Sequence, residues 1–82
     1  MPFAEVIMNP SAGNARWKKQ LPELVAIIES HFAPLHISQT RKAGDARLVT
    51  ERLIKAYQHK MDDLQLIVIG GDGTLHDVVN GL

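Results

Sequence analysis

Leu64-Gln65-Leu66-Ile67-Val68-Ile69-Gly70-Gly71-Asp72-Gly73-Thr74 sets an apolar run directly against a glycine-rich loop. The run is apolar almost throughout, the pattern of a strand buried on both faces and hence of a central strand in a parallel sheet. Gly70, Gly71 and Gly73 then let the backbone turn sharply and approach a bulky group closely. Thr74 is a suitable cap for a helix carrying Val78, Val79 and Leu82. Strand, tight polar loop and helix in this order are the parts of an α/β fold.

The same alternation extends back to the N-terminus. Asp62-Asp63 closes the loop before the apolar run, and Asp45 is a suitable N-cap for a helix with Val49, Leu53, Ala56 and Tyr57 on its buried face. Leu35 to Thr40 alternates apolar and polar residues as an edge strand does. Trp17, Leu21, Leu24, Val25 and Ile28 recur along one face of an earlier helix, which Pro22 either kinks or begins. Phe3 to Met8 reads as a strand, ended by the breakers Asn9-Pro10-Ser11-Ala12-Gly13. The order β-α-β-α-β-α predicts a three-layer α/β domain over residues 1–82, with a three-stranded parallel sheet and right-handed crossovers. The pattern stops inside its third helix, so the expectation is a segment of a longer chain.

Composition narrows the classes of function. The 82 residues are 45% hydrophobic and 22% charged, an ordinary globular balance, with nine basic residues against nine acidic. Zero net charge and the lack of a basic-aromatic face argue against a nucleic-acid partner. No cysteine is present, which excludes disulfides, thiolate metal sites and thiol catalysis, and fits a cytoplasmic location. Unbroken apolar stretches such as Leu66 to Ile69 are far too short to span a bilayer, so any lipid contact is expected to be peripheral.

In open parallel sheets ligands bind beyond the carboxyl ends of the strands. Three polar loops fall there: Asn9 to Asn14, Thr40 to Asp45, and Gly70 to Thr74. The last suits a phosphate, because the free N–H groups and positive dipole end of the following helix point at the same place. Asp72 would repel phosphates unless a cation lay between, which makes it a candidate for holding Mg²⁺. The loop is neither a Walker A nor a G-x-G-x-x-G loop. A plainer reading stands beside this one: Asp72-Gly73 as a tight turn, with Thr74 and Asp77 as a capping box. Among weaker candidates, Arg16, Lys18 and Lys19 read as solvated helix surface, Arg41 and Lys42 as either surface or phosphate contacts, Trp17 as a core anchor, and His31, His36 and His59 as surface or packing residues.

Gly70 to Thr74 resembles the nucleotide signature shared by diacylglycerol kinases, sphingosine kinases, NAD kinases and phosphofructokinases. The continuation Leu75-His76-Asp77-Val78-Val79-Asn80-Gly81-Leu82, the loop Asn9-Pro10-Ser11-Ala12-Gly13, and Thr40 with Gly44-Asp45-Ala46 narrow the resemblance to the diacylglycerol kinase catalytic domain. The resemblance implies the N-terminal part of an NAD kinase/phosphofructokinase-like nucleotide-binding domain that takes ATP and Mg²⁺. It places Asn9, Pro10, Ser11, Ala12 and Gly13 against the nucleotide, Thr40 in contact with ATP, and Gly71, Asp72, Gly73, Thr74, Leu75, His76 and Asp77 at the phosphates. Family members often carry Glu where Asp77 stands, so the shorter side chain suits a cap better than a ligand contact. The resemblance further implies transfer of the γ-phosphoryl to a lipid hydroxyl such as diacylglycerol, with the general base, lipid pocket and a second metal site in a later β-rich domain, and an inactive chain in its absence. An NAD kinase-like enzyme shares only the glycine-rich loop, and a non-catalytic nucleotide-binding module is the remaining alternative. Apolar faces left uncovered by a missing domain predict self-association.

Overall fold

The computed structural model describes residues 3–11 and 16–82. Three strands, β1 (Phe3–Met8), β2 (Leu35–Gln39) and β3 (Leu64–Ile69), alternate with three helices, α1 (Leu21–Glu29), α2 (Asp45–Ala56) and α3 (Asp72–Gly81). The sheet is parallel in the order β2-β1-β3, with Val6 level with Ile37 on one side and Ile67 on the other. The α/β class, strand number and strand direction are those the alternation predicts.

The central strand is not the one expected. β1 holds the middle and is buried from Ala4 to Met8, whereas β3, although almost wholly apolar, lies at an edge among the described residues. Hydropathy records that β3 has apolar neighbours; strand order is settled by which crossover steps which way. β1–α1–β2 steps to one side, and β2–α2–β3 steps back over β1. Right-handed connections of opposite direction put α1 and α2 on opposite faces. On the α2 face Ile7, Ala46 and Val78 form the fully buried cluster, with Val49, Leu53, Leu66 and Val68 against it. Burying an isoleucine such as Ile7 contributes about 1.5–3 kcal/mol.

Helix ends also depart from expectation in physical ways. A 3-10 turn at Arg16–Gln20 leads into α1, so Pro22 sits in the first helical turn, where its missing N–H costs nothing, and begins the helix rather than kinking it. Asp45 does not cap α2. Its carboxylate turns back and accepts from the Arg41 and Lys42 amides at 2.9 and 3.1 Å. Those two amide bonds, Arg41's foremost, hold its carboxyl below the ordinary value of 3.8. The expected buried face of α2 is rotated: Ala46 and Thr50 are buried, Val49, Leu53 and Tyr57 half-buried, and Ala56 exposed. α2 and α3 approach closely at Gly81, where a Cβ would stand 2.7 Å from the Arg47 carbonyl oxygen and 2.8 Å from the Thr50 Cβ.

A polar cluster sits at the amino ends of the strands. Glu5, only 4% exposed, lies in the central strand. Tyr57 Oη donates to its Oε2 at 2.8 Å, and His36 Nδ1, level with it on β2, donates to the same oxygen at 2.7 Å. Phe3 packs on Tyr57 with ring centroids 5.1 Å apart. These bonds offset the cost of burying a carboxylate. His31, His36 and His59 are exposed, as expected, but His36 has this partner, which no sequence spacing announces.

Candidate functional site

At the opposite rim the sheet ladder continues past the strand ends. The Asn9 amide donates to the Ile69 carbonyl at 2.9 Å, and the Thr40 amide to the Met8 carbonyl at 2.8 Å. Both residues are thereby fixed where strand order reverses, the position at which α/β sheets take ligands. Asn9 then ties its own loop to α3: its Oδ1 accepts from the Ser11 amide at 3.0 Å, and its Nδ2 donates to Thr74 Oγ1 at 3.3 Å. Thr74 is 6% exposed, so this contact is set by packing as well as by the bond.

α3 begins at Asp72, two residues earlier than the sequence suggests, and its N-cap position, Gly71, makes no side-chain capping bond. The capping box expected of Thr74 and Asp77 does not form. The Thr74 hydroxyl accepts from Asn9, and Asp77 Oδ2 accepts instead from the Gly44 amide at 2.9 Å, a residue in the loop after β2. The opening turn of α3 therefore presents backbone N–H groups that no side chain of its own satisfies.

The three glycines of the loop differ in why they lack a side chain. A Cβ on Gly70 would meet Thr74 Oγ1 at 2.7 Å, so the fold itself requires glycine there. A Cβ on Gly71 or on Gly73 would meet nothing within 4 Å. Neither has a positive φ; among the described glycines only Gly44 does, at 91°. Neither packing nor backbone conformation within the described chain accounts for Gly71 and Gly73. Open space beside bare backbone at a helix N-terminus fits a phosphate group.

A cleft of about 300 Å³ lies beside this turn. Asn9 and Ser11 line it from the loop after β1, Thr40, Arg41, Lys42 and Ala43 from the loop after β2, and Gly73, Thr74, His76 and Asp77 from α3, with Ala46 of α2. The volume is at the small end for ligand pockets. Of the residues expected at a nucleotide, Asn9, Ser11, Thr40, Gly73, Thr74, His76 and Asp77 are brought together here. Pro10, Gly71, Asp72 and Leu75 do not line the cleft; Asp72 stands exposed at the start of α3. Ala12 and Gly13, and the side chains of Arg16 and Trp17, lie outside the described residues. Lys18 and Lys19 are exposed. Arg41 and Lys42 join the wall of the cleft, as does Ala46 of the Gly44-Asp45-Ala46 segment, while nothing in the side chain of Ala43 singles it out in the sequence.

Among the described residues no three His, Asp or Glu side chains cluster as a metal site. Asp72 could therefore hold a divalent cation only in company with ligands from elsewhere, such as phosphate oxygens and water. No helix among the described residues is long and apolar enough to cross a membrane.

Comparison with known proteins accords with this arrangement. The chain is 39% identical over 79 residues to diacylglycerol kinases of Staphylococcus carnosus (strain TM300) and of Staphylococcus aureus (strain MRSA252), covering 96% of this chain and 24% of each of theirs. It superposes on a diacylglycerol kinase crystal structure from Bacillus anthracis str. Sterne with a TM-score of 0.73 at 33% identity, over 99% of this chain and 28% of that one. A second solved chain from the same organism gives a TM-score of 0.78 at the same identity. The chain thus spans about a quarter of the length of the relatives it matches. The model of the diacylglycerol kinase catalytic domain matches residues 4–82, and the chain belongs to that family.

Proposed function

We propose that this chain is the ATP-binding, N-terminal portion of a kinase that transfers the γ-phosphoryl group of ATP to a lipid hydroxyl, such as that of diacylglycerol, giving phosphatidic acid. The observation that carries the nucleotide half is the bare backbone of Gly71 and Gly73, where a side chain would meet no other part of the described chain. The lipid half rests on family membership. Phosphoryl transfer depends mainly on positioning and on neutralising charge. The first turn of α3 and the loops ending in Asn9 and Thr40 supply the positioning, and Arg41 and Lys42 supply positive charge beside the cleft. Mg²⁺, when bound, would neutralise phosphate charge, and Asp72, an exposed carboxylate at the start of α3, is the residue of this chain that would share it. The general base for the acceptor hydroxyl, the lipid pocket and a second metal site belong to the part of the kinase that this segment does not include. The intact enzyme is cytoplasmic and meets its lipid peripherally at the membrane.

Asp72 is exposed and has no hydrogen-bond partner within the described chain, so Asp72→Asn leaves the fold undisturbed. In a kinase carrying this segment, assayed with ATP, Mg²⁺ and diacylglycerol, the substitution is expected to lower turnover on the order of 100-fold or more. Turnover near that of the wild type would remove Asp72 from the mechanism. Absence of diacylglycerol phosphorylation by the wild-type kinase would remove the lipid assignment.

A further inference from the structure

Asp77 faces the cleft from the middle of α3, yet its Oδ2 is engaged by the Gly44 amide at 2.9 Å, 33 residues away in sequence. Gly44 adopts φ 91° and ψ −20°, a left-handed conformation that turns the end of the loop into α2. The rest of that loop is stiffened from within. Asp45 Oδ2 accepts from the Arg41 and Lys42 amides, and the Asp45 amide donates to the Lys42 carbonyl at 3.2 Å. The loop is thus a small self-bonded unit carrying Thr40, Arg41 and Lys42. Asp77 is the side chain that bonds this unit to α3, the opposite wall of the cleft. One turn further along, at the C-terminal end of α3, Gly81 holds that helix hard against Arg47 and Thr50 in the first half of α2.

From this geometry we propose that Asp77 is a positioning residue: through the Gly44 amide it fixes the Thr40–Gly44 loop against α3 and so sets the width of the nucleotide cleft. The inference rests on the nucleotide reading above, and it differs from a direct contact of Asp77 with phosphate or metal. What Asp77 contributes is an acceptor atom aimed at a backbone N–H. Its negative charge is incidental, and beside phosphates it is a disadvantage. Asparagine, which keeps an acceptor oxygen at the same reach, should therefore serve nearly as well. Alanine should not.

The test uses wild type, Asp77→Ala and Asp77→Asn, each read two ways. Amide hydrogen exchange at Gly44 reports the bond without nucleotide, and titration with ATP and Mg²⁺ reports the cleft. A part-buried amide left without its acceptor loses about one to two tenfold steps, so Asp77→Ala is expected to speed Gly44 exchange and to weaken ATP binding about 10- to 100-fold. Asp77→Asn should restore both to within about threefold of wild type, half a tenfold step. In a kinase carrying the segment, Asp77→Ala should raise KM for ATP while kcat changes by less than about twofold, the signature of lost ground-state binding.

Gly44 exchange unaltered by Asp77→Ala would refute the bond, and faster exchange with unchanged ATP affinity would refute its role in the cleft. Equal damage from Asn and Ala would show that the charge acts on the ligand or its metal, and would overturn the proposal. Should Asp77→Ala not fold, Asp77→Asn decides alone: a tenfold loss of affinity in a folded protein overturns the proposal, and near-normal affinity upholds it. Failure of wild type itself to bind ATP is a different result, since it removes the nucleotide reading while Gly44 exchange still reports the bond.

Discussion

Replacing Gly73 by alanine should move two measurable properties of this chain in opposite directions. Gly73 is the second residue of α3 and lacks the left-handed conformation that alanine resists. A Cβ there would have no neighbour within 4 Å, so the new methyl displaces nothing among the described residues. Alanine at such a position stabilises by about 0.4–1 kcal/mol, mostly by restricting the unfolded chain. For a domain of this size that is a rise in Tm of about 2–8 °C. The same methyl projects from a residue that lines the cleft, where the proposed phosphate approaches bare backbone. Loss of one charge-assisted hydrogen bond costs about 1.5–3 kcal/mol, or roughly 10- to 100-fold in Kd. Thermal unfolding followed by circular dichroism gives the first quantity, and calorimetric titration with ATP and Mg²⁺ gives the second. A more stable variant with unchanged ATP affinity would show that the open space beside Gly73 is not the phosphate cradle. A less stable variant would show that the fold itself needs this glycine, and the reasoning from its bareness would collapse. Gly70→Ala supplies the contrast. There the methyl would stand 2.7 Å from Thr74 Oγ1, and destabilisation of about 1–3 kcal/mol is expected with or without nucleotide.

The Glu5 cluster yields a dependence on pH. The hydrogen bond to Glu5, burial and the carboxylate's charge raise the Tyr57 hydroxyl above its ordinary value of 10.0. The folded state therefore holds that proton more tightly than the unfolded state. The resulting stability is fully present below pH 10.0 and declines as pH rises through the folded-state value. Urea unfolding should show wild type weakening above that pH relative to Tyr57→Phe, while Tyr57→Phe is less stable at neutral pH by about 1–3 kcal/mol because Glu5 loses a donor. Parallel pH profiles for the two proteins would dismiss the coupling. A further expectation concerns α3 and its C-cap, where Leu75, Val79 and Leu82 are 52%, 57% and 70% exposed at helical spacing. Such a stripe promotes association, so the 82-residue chain should scatter light as an oligomer and Val79→Lys should return it towards monomer. Wild type that stays monomeric would contradict this.

Much of this molecule is legible in one dimension because the interactions that decide it are local. Apolar runs of strand length, glycine loops and helical periodicities each need only a few neighbouring residues to be recognised. They yielded three strands, three helices, their parallel sense, and the rim at which polar loops gather. The residues of that rim were also legible, since Asn9, Thr40, Gly73 and Thr74 announce themselves by loop chemistry. Tertiary structure decided what depends on partners distant in sequence. β3 is as apolar as β1, five residues of six in each, yet β1 is the central strand among the described residues, because crossover direction sets strand order and hydropathy does not. Glu5, a charge within an apolar strand, is buried, since its two donors come from residues 36 and 57. Asp45 and Asp77 both read as helix caps, and both carboxylates serve the loop after β2. A cap is a local bond that competes with any better-aimed amide the fold brings near, and only the packed α2–α3 pair brings Gly44 to Asp77.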